Sequence, residues 1–542
     1  MTVQGYGSKE LALLVEIPYN AHFEFSRAGH LTLARSTSTG ADVHSQRRKE
    51  SIMCRRLGVS FAALLFGLVA ACTPEIQYRQ LNAVGSKSTC TTHTDPAQCP
   101  TAEISTDPDY FLGIVEFDDQ GVLFNRNQFN YVIQQIDQRT PNDQDHEGTI
   151  LITFTHGWDH NAQADDENLE FFREMLSRFC AAERGEAMLD QRKPRRVIGA
   201  YLAWRGQIST WRLFQVLSFW NRKDAAHRIG ERDATEVLLQ LRVSAYAHPG
   251  PSRDTPNRFI VMGHSFGGAL VYSAMSQLIA GHLLSRQNPA SNFLPLADAV
   301  ILFNPAFEAA RLQHLLETAA DMDEQRPGLS IFTSKTDWAT GVAFPLARYV
   351  NTIGLAYREI ADPVKPTEMM SQREADTHSA GHFGLFLTHD LVRAPKEGSE
   401  PCNQQQELVA PDIHVLWGLR DREERSRLLR QYGDVTRHAQ ERLSETYADN
   451  SRSVLEFGHT CLIARGKLVR KQLAVFNVSV DSTLWDGHSL NQTEDRLELF
   501  QGFLQKFILF AASTPQGEEE VSSEALRVHP AKPRAVLREH KF

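Results

Sequence analysis

The sequence predicts an α/β fold: a mostly parallel central sheet with helices on both faces and a large insertion before the last strand. Three observations carry that expectation. Short apolar runs alternate with longer helical patterns, as strands joined by crossover helices do. The runs, at 149–155, 196–204, 258–262, 299–303, 329–333 and 474–480, are rich in Ile, Val, Leu and Phe on both faces, which suits strands covered on both sides. A Gly-x-Ser-x-Gly segment, Gly263 to Gly267, falls between one such run and a helical pattern.

Length and composition agree with a large soluble core. The chain has 542 residues, of which 42% are hydrophobic and 23% charged, enough apolar material for one decorated domain or several smaller ones. A net charge of −9 argues against a nucleic-acid-binding surface. There is no P-loop, CxxC pair or HExxH helix, so phosphate-loop, zinc-finger and zincin chemistry have no support. No metal or organic cofactor is expected.

The amino end carries a targeting signal. Residues 57–71 form an apolar run after Arg55 and Arg56 and stop at Cys72, the layout of a secretory signal peptide and too short for a comfortable membrane span of about 20 residues. Val69-Ala70-Ala71-Cys72 resembles the bacterial lipobox, whose cysteine is lipidated and becomes the first mature residue. Thr73 rather than Asp follows it, which by resemblance to Gram-negative lipoproteins implies the outer membrane, facing the periplasm. Met53 would then be the true start, with 53–71 the signal peptide and 1–52 an untranslated or dispensable extension. Peptides from the first fifty residues in a mass spectrum would contradict that start.

The remaining elements follow in order. Residues 72–105, rich in Ser, Thr, Pro and Asp, read as a tether. The first part of the core spans 106–341. It opens on Tyr110–Phe117, the turn Asp118-Asp119-Gln120-Gly121 and a second apolar run, a hairpin pattern. Phe129, Val132, Ile133 and Ile136 then mark a helix. Further helical patterns occupy 166–180, 234–243 and 268–284. Residues 205–232, with Trp211, Phe214, Phe219 and Trp220, interrupt the alternation. Residues 342–455 form the insertion or lid, including a charged run at 421–442 that reads as a solvated helix. The core resumes over 456–513, where Leu497, Phe500, Phe503, Leu504 and Phe507 share one face of the last helix. A polar tail, 514–542, closes the chain. Of the cysteines beyond Cys72, Cys90 and Cys99 could close a small loop, and Cys180 is the simplest free thiol.

The chemistry centres on Ser265. A serine hydroxyl is a weak nucleophile at neutral pH and needs a base and an exposed, fixed position. The elbow Gly263-His264-Ser265-Phe266-Gly267 supplies the position, between the strand 258–262 and a helix opening at Gly268. His156-Gly157-Trp158 follows the strand 149–155, where such folds keep one oxyanion donor. The amides of Trp158 and Phe266 are therefore the candidates, with His156 bracing the loop. Histidines 378, 382, 389, 459 and 488 all lie late enough to be the base. His488 fits best, between the strand 474–480 and the final helix. Structural hydrogen bonding is the simpler role for His378, His382 and His389, and as metal ligands they lack an accompanying pattern. The acid that orients the histidine is Asp337, after the strand 329–333, with Glu308 as the alternative.

These segments resemble the α/β-hydrolase superfamily over roughly 110–345 and 470–511. The run His156-Gly-Trp-Asp-His-Asn-Ala, with Asp166-Glu167-Asn168 and Tyr201-Leu-Ala-Trp-Arg-Gly, is similar to an esterase-like bacterial and fungal branch. The resemblance implies a lipid-anchored serine hydrolase that cleaves a small ester or lipid through Ser265, His488 and Asp337. The alternatives are a non-catalytic scaffold lipoprotein with the same fold, and an acyltransferase.

Overall fold

The computed structural model describes residues 76–85, 99–207, 212–252, 255–286, 297–319, 328–363, 367–394, 419, 421–431, 454–457, 459–465 and 474–512. Residues 1–52, the signal segment 53–71, Cys72, Cys90, Cys402, Trp211 and the tail lie outside the described residues.

In chain order the strands are β1 (Gln80–Gly85), β2 (Pro100–Thr106), β3 (Asp109–Phe117), β4 (Thr149–Thr155), β5 (Arg196–Trp204), β6 (Arg258–His264), β7 (Ala299–Phe303) and β8 (Leu329–Ser334). The later ones are β9 (Glu359–Ala361), β10 (Met369–Ser371), β11 (His389–Arg393), β12 (Val454–Phe457), β13 (Thr460–Ala464) and β14 (Val475–Val480). The helices are α1 (Arg126–Asp137), α2 (Glu167–Leu189), α3 (Arg212–Gly230), α4 (Asp233–Ala245), α5 (Phe266–Arg286), α6 (Ala309–Ala319), α7 (Phe344–Asn351), α8 (Gln372–Thr377) and α9 (Glu494–Ala512).

Twelve strands form one sheet, ordered β1-β2-β3-β5-β4-β6-β7-β8-β14-β11-β13-β12, and the run from β3 to β11 is parallel throughout. Side chains alternate between the two faces. Phe259 and Val261 of β6 pack with α4 and α5, whereas Ile260 and Met262 pack with α2 and α9. Both faces are buried, which is why these strands read as continuous apolar runs. From β4 the chain crosses through α2 to β5 on one side, and from β6 through α5 to β7 on the other. Such a reversal opens a crevice at the carboxyl ends of the strands, where ligands bind in open α/β sheets.

Three expectations change. Part of the segment expected to be a tether is strand: β1 pairs with β2, and β2 with β3. Buried charge secures it, because the Arg79 guanidinium meets Glu103 at 2.9 Å and the Ala162 carbonyl at 2.7 Å, while Glu116 accepts the Tyr78 and Arg79 amides. The expected hairpin after β3 shrinks to a single bridge, Phe117 to Leu123, and β3 takes its antiparallel partner from β2. The 342–455 insertion is not all lid. Its β11 lies parallel to β14 and antiparallel to β13, so β14 is an interior strand and its backbone groups are not left at an edge. Of the charged run expected to be a solvated helix, residues 422–431 are helical, half of them exposed with Leu429 buried, and 432–442 lie outside the described residues. Cys99 and Cys461 are each disulfide-bonded, and Cys180 is the free thiol among the described residues, buried in α2. No helix of the described residues is long and apolar enough to cross a membrane.

Candidate active site

β6 ends at His264 and α5 opens at Phe266, so Ser265 alone turns strand into helix. Its φ is 55°, a left-handed conformation that costs a non-glycine residue roughly 1–2 kcal/mol. The neighbours hold it there: its N–H donates to Phe303 O at 2.9 Å, and its carbonyl accepts from Ala306 N at 3.1 Å. Close approach explains two flanking glycines. A Cβ on Gly267 would sit 2.2 Å from Thr155 O, and one on Gly157 would sit 2.8 Å from Ser265 Cβ.

His488 lies in the loop after β14. Its carbonyl accepts from Asn304 Nδ2 at 3.0 Å, and the Trp485 indole spans the loop to Ser489 O at 2.8 Å. Its ring meets both other members of the expected set. Nε2 is 2.8 Å from Ser265 Oγ, and Nδ1 is 2.9 Å from Asp337 Oδ2. The carboxylate can only accept, so Nδ1 carries the proton and Nε2 is free to accept from the serine.

Asp337 follows β8 and is fully buried. Its Oδ1 accepts from the amides of Ala339 (2.9 Å) and Thr340 (3.3 Å), and the Thr340 hydroxyl donates to Oδ2. Burial alone would raise this carboxyl, but the His488 ring and the Thr340 hydroxyl outweigh it and bring the pKa down to about 2. The group is thus an anion aimed at an imidazole.

The expected oxyanion donors lie in the loop after β4 and at the start of α5. Phe266 is the first residue of α5, so its N–H has no carbonyl a turn earlier within the helix. Phe219 of α3 packs against both side chains, with ring centroids 5.7 Å from Trp158 and 4.7 Å from Phe266. His156 braces the loop. Its Nδ1 donates to Gly157 O at 2.9 Å, its Nε2 accepts from Trp204 N at 3.0 Å, and the ring stacks on Trp204. Burial drives its pKa down to about 4, so it stays neutral.

Glu308, the alternative acid, is engaged elsewhere. Its carboxylate meets Lys223 Nζ at 2.7 Å, Arg311 Nε at 3.0 Å and Arg348 Nε at 3.2 Å. Neither oxygen faces His488. Of the other histidines, His378 Nδ1 donates to Glu374 O, and the His389 ring packs against Phe476 inside the sheet. His382 lies against Gly341, and His459 sits in the turn between β12 and β13. Among the described residues no cluster of three His, Cys, Asp or Glu could hold a metal ion.

Sequence reasoning missed the supports: Thr340, Asn304, and the line Asp166, His160, Asn168 and His264. Only the density of polar residues at 156–168 hinted at the last group.

Residues 252–371 match the model of a family described as an alpha/beta hydrolase of unknown function (DUF900). That stretch holds Ser265, Glu308 and Asp337 and ends before His488. No curated protein and no solved structure matches the chain. With the strand order, the family match makes this an α/β-hydrolase fold.

Proposed function

We propose that the protein is a serine hydrolase of the carboxylesterase or lipase type, using Ser265 as nucleophile, His488 as general base and Asp337 as its orienting anion. The observation that carries this reading is the unbroken hydrogen-bonded path from Ser265 Oγ through His488 to Asp337. Ser265 Oγ attacks the ester carbonyl while its proton passes to His488 Nε2. The amides of Trp158 and Phe266 receive the developing oxyanion. The C–O bond then breaks, the alcohol departs with the proton from Nε2, and the acyl group stays on Ser265. Water, losing a proton to His488 Nε2, attacks the acyl carbon; the bond to Ser265 Oγ breaks, Oγ takes the proton back from Nε2, and the carboxylic acid leaves.

An apolar acyl group is favoured by what flanks the site. Trp338, next to Asp337, is 57% exposed, and Leu346 and Val350, four residues apart on α7, are 63% and 70% exposed, apolar surface of a kind that marks binding sites. Phe219 adds an aromatic ring packed against the Trp158 and Phe266 side chains. Hydrolysis of p-nitrophenyl esters from acetate to palmitate, beside Ser265→Ala, tests the reading. The substitution should remove at least about 10³-fold of the rate. Undiminished turnover by Ser265→Ala would contradict it.

The proposal extends to location: a lipid anchor at Cys72 on the periplasmic side of a bacterial outer membrane, supported by Val69-Ala70-Ala71-Cys72. Metabolic palmitate labelling that persists in Cys72→Ala would contradict the anchor.

A further inference from the structure

Beneath Ser265 and His488 runs a second polar chain that the reaction above does not use. Asp166 Oδ2 lies 3.1 Å from His160 Nδ1, and His160 Nε2 lies 3.1 Å from Asn168 Nδ2. Asn168 Oδ1 lies 3.2 Å from His264 Nδ1, and His264 Nε2 lies 2.9 Å from the carbonyl oxygen of His488. Asn168 and His264 are buried, and the Asp166 and His160 side chains are 6% and 20% exposed, so water competes poorly for these contacts. Asn168 Oδ1 also faces the Gly157 amide at 3.4 Å. The chain therefore spans the loop after β4, the elbow residue before Ser265, and the loop that carries His488.

Its two ends are both acceptors, a carboxylate and a carbonyl. His160 Nδ1 donates to Asp166, and His264 Nε2 donates to His488 O. The Gly157 amide donates to Asn168 Oδ1, so the Asn168 amide is held with its NH2 towards His160 Nε2 and its oxygen towards His264.

We propose that His160, Asn168 and His264 are positioning residues that hold the backbone of His488. This rests on reading Ser265 and His488 as the reacting pair. Burial and the neighbouring His488 ring push the His264 imidazole well below its ordinary range. The other titratable groups facing the chain are His156, 6.3 Å from His160 between ring centroids, and Asp159. His488, 5.0 Å from His264, faces its other end.

The test is kinetic, on the full chain. His264→Leu should lower kcat by about 10²-fold with KM nearly unchanged, the scale of a small misplacement of a reacting group. His264→Gln, whose amide can still donate to the His488 carbonyl, should recover most of that loss. Equal losses in the two variants, or none in His264→Leu, would overturn the positioning role. Failure of a fluorophosphonate to label wild-type Ser265 would count against hydrolysis itself, separately from the comparison of the two variants.

Discussion

Asp337 and Glu308 sit beyond the carboxyl ends of adjacent strands, β8 and β7, and both are buried with pKa values held down to about 2. Burial opposes ionisation in each, and nearby positive or proton-donating groups overcome it. The difference lies in those groups. Asp337 faces a single imidazole, backbone amides and the Thr340 hydroxyl, so its charge is directed at a ring that can exchange a proton with Ser265. Glu308 faces Lys223, Arg311 and Arg348, three cations and no imidazole, so its charge ties α3, α6 and α7 together. A depressed carboxylate at a strand end is thus not in itself an active-site acid. Its partner decides.

The comparison can be broken most sharply by replacing Asp337. Asp337→Asn should lower kcat by about 10⁴-fold while the protein still folds, because the amide favours the wrong imidazole tautomer. A comparable loss per folded molecule in Glu308→Gln would erase the distinction. Glu308→Gln should instead cost about 3–5 kcal/mol of stability in denaturant titrations, since Lys223 loses its buried counter-charge. The Lys223→Met, Glu308→Leu double variant should recover most of it. Gly157→Ala, which forces a Cβ to 2.8 Å from Ser265 Cβ and 3.0 Å from His264 Nδ1, should reduce kcat by about 10²-fold.

The smallest effect concerns acid stability. The folded-state pKa of Asp337 lies below the unfolded value near 3.9, so its contribution of about 2 kcal/mol is complete above pH 4 and is lost as pH falls towards 2. Asp337→Asn should flatten the stability profile over that window. An unchanged slope would mean that Asp337 is not held as the structure implies.

Much of this site was legible from sequence because each part sits at a strand end with a local signature. Ser265 had its elbow, and the alternation of strands and helices put Asp337 and His488 in the places where an acid and a base belong. What escaped has no local signature. β1 and β2 lie in a polar stretch and are secured by Arg79, Glu103 and Glu116, ion pairs between residues far apart in the chain. β11 is short and follows a long excursion, and its strand character comes from pairing with β14 and β13. Glu308 and Asp337 look alike in sequence, and only packing brings Lys223 and Arg348 to one and His488 to the other.

Intact-mass measurement of fluorophosphonate labelling rates in wild type, Asp337→Asn and Glu308→Gln tests directly whether Ser265 is activated through His488 by Asp337 and not by Glu308. One adduct on Ser265 is expected, formed rapidly in wild type and in folded Glu308→Gln and slowed by orders of magnitude in Asp337→Asn. Equal labelling of Asp337→Asn and wild type, or no adduct on wild-type Ser265, would contradict it.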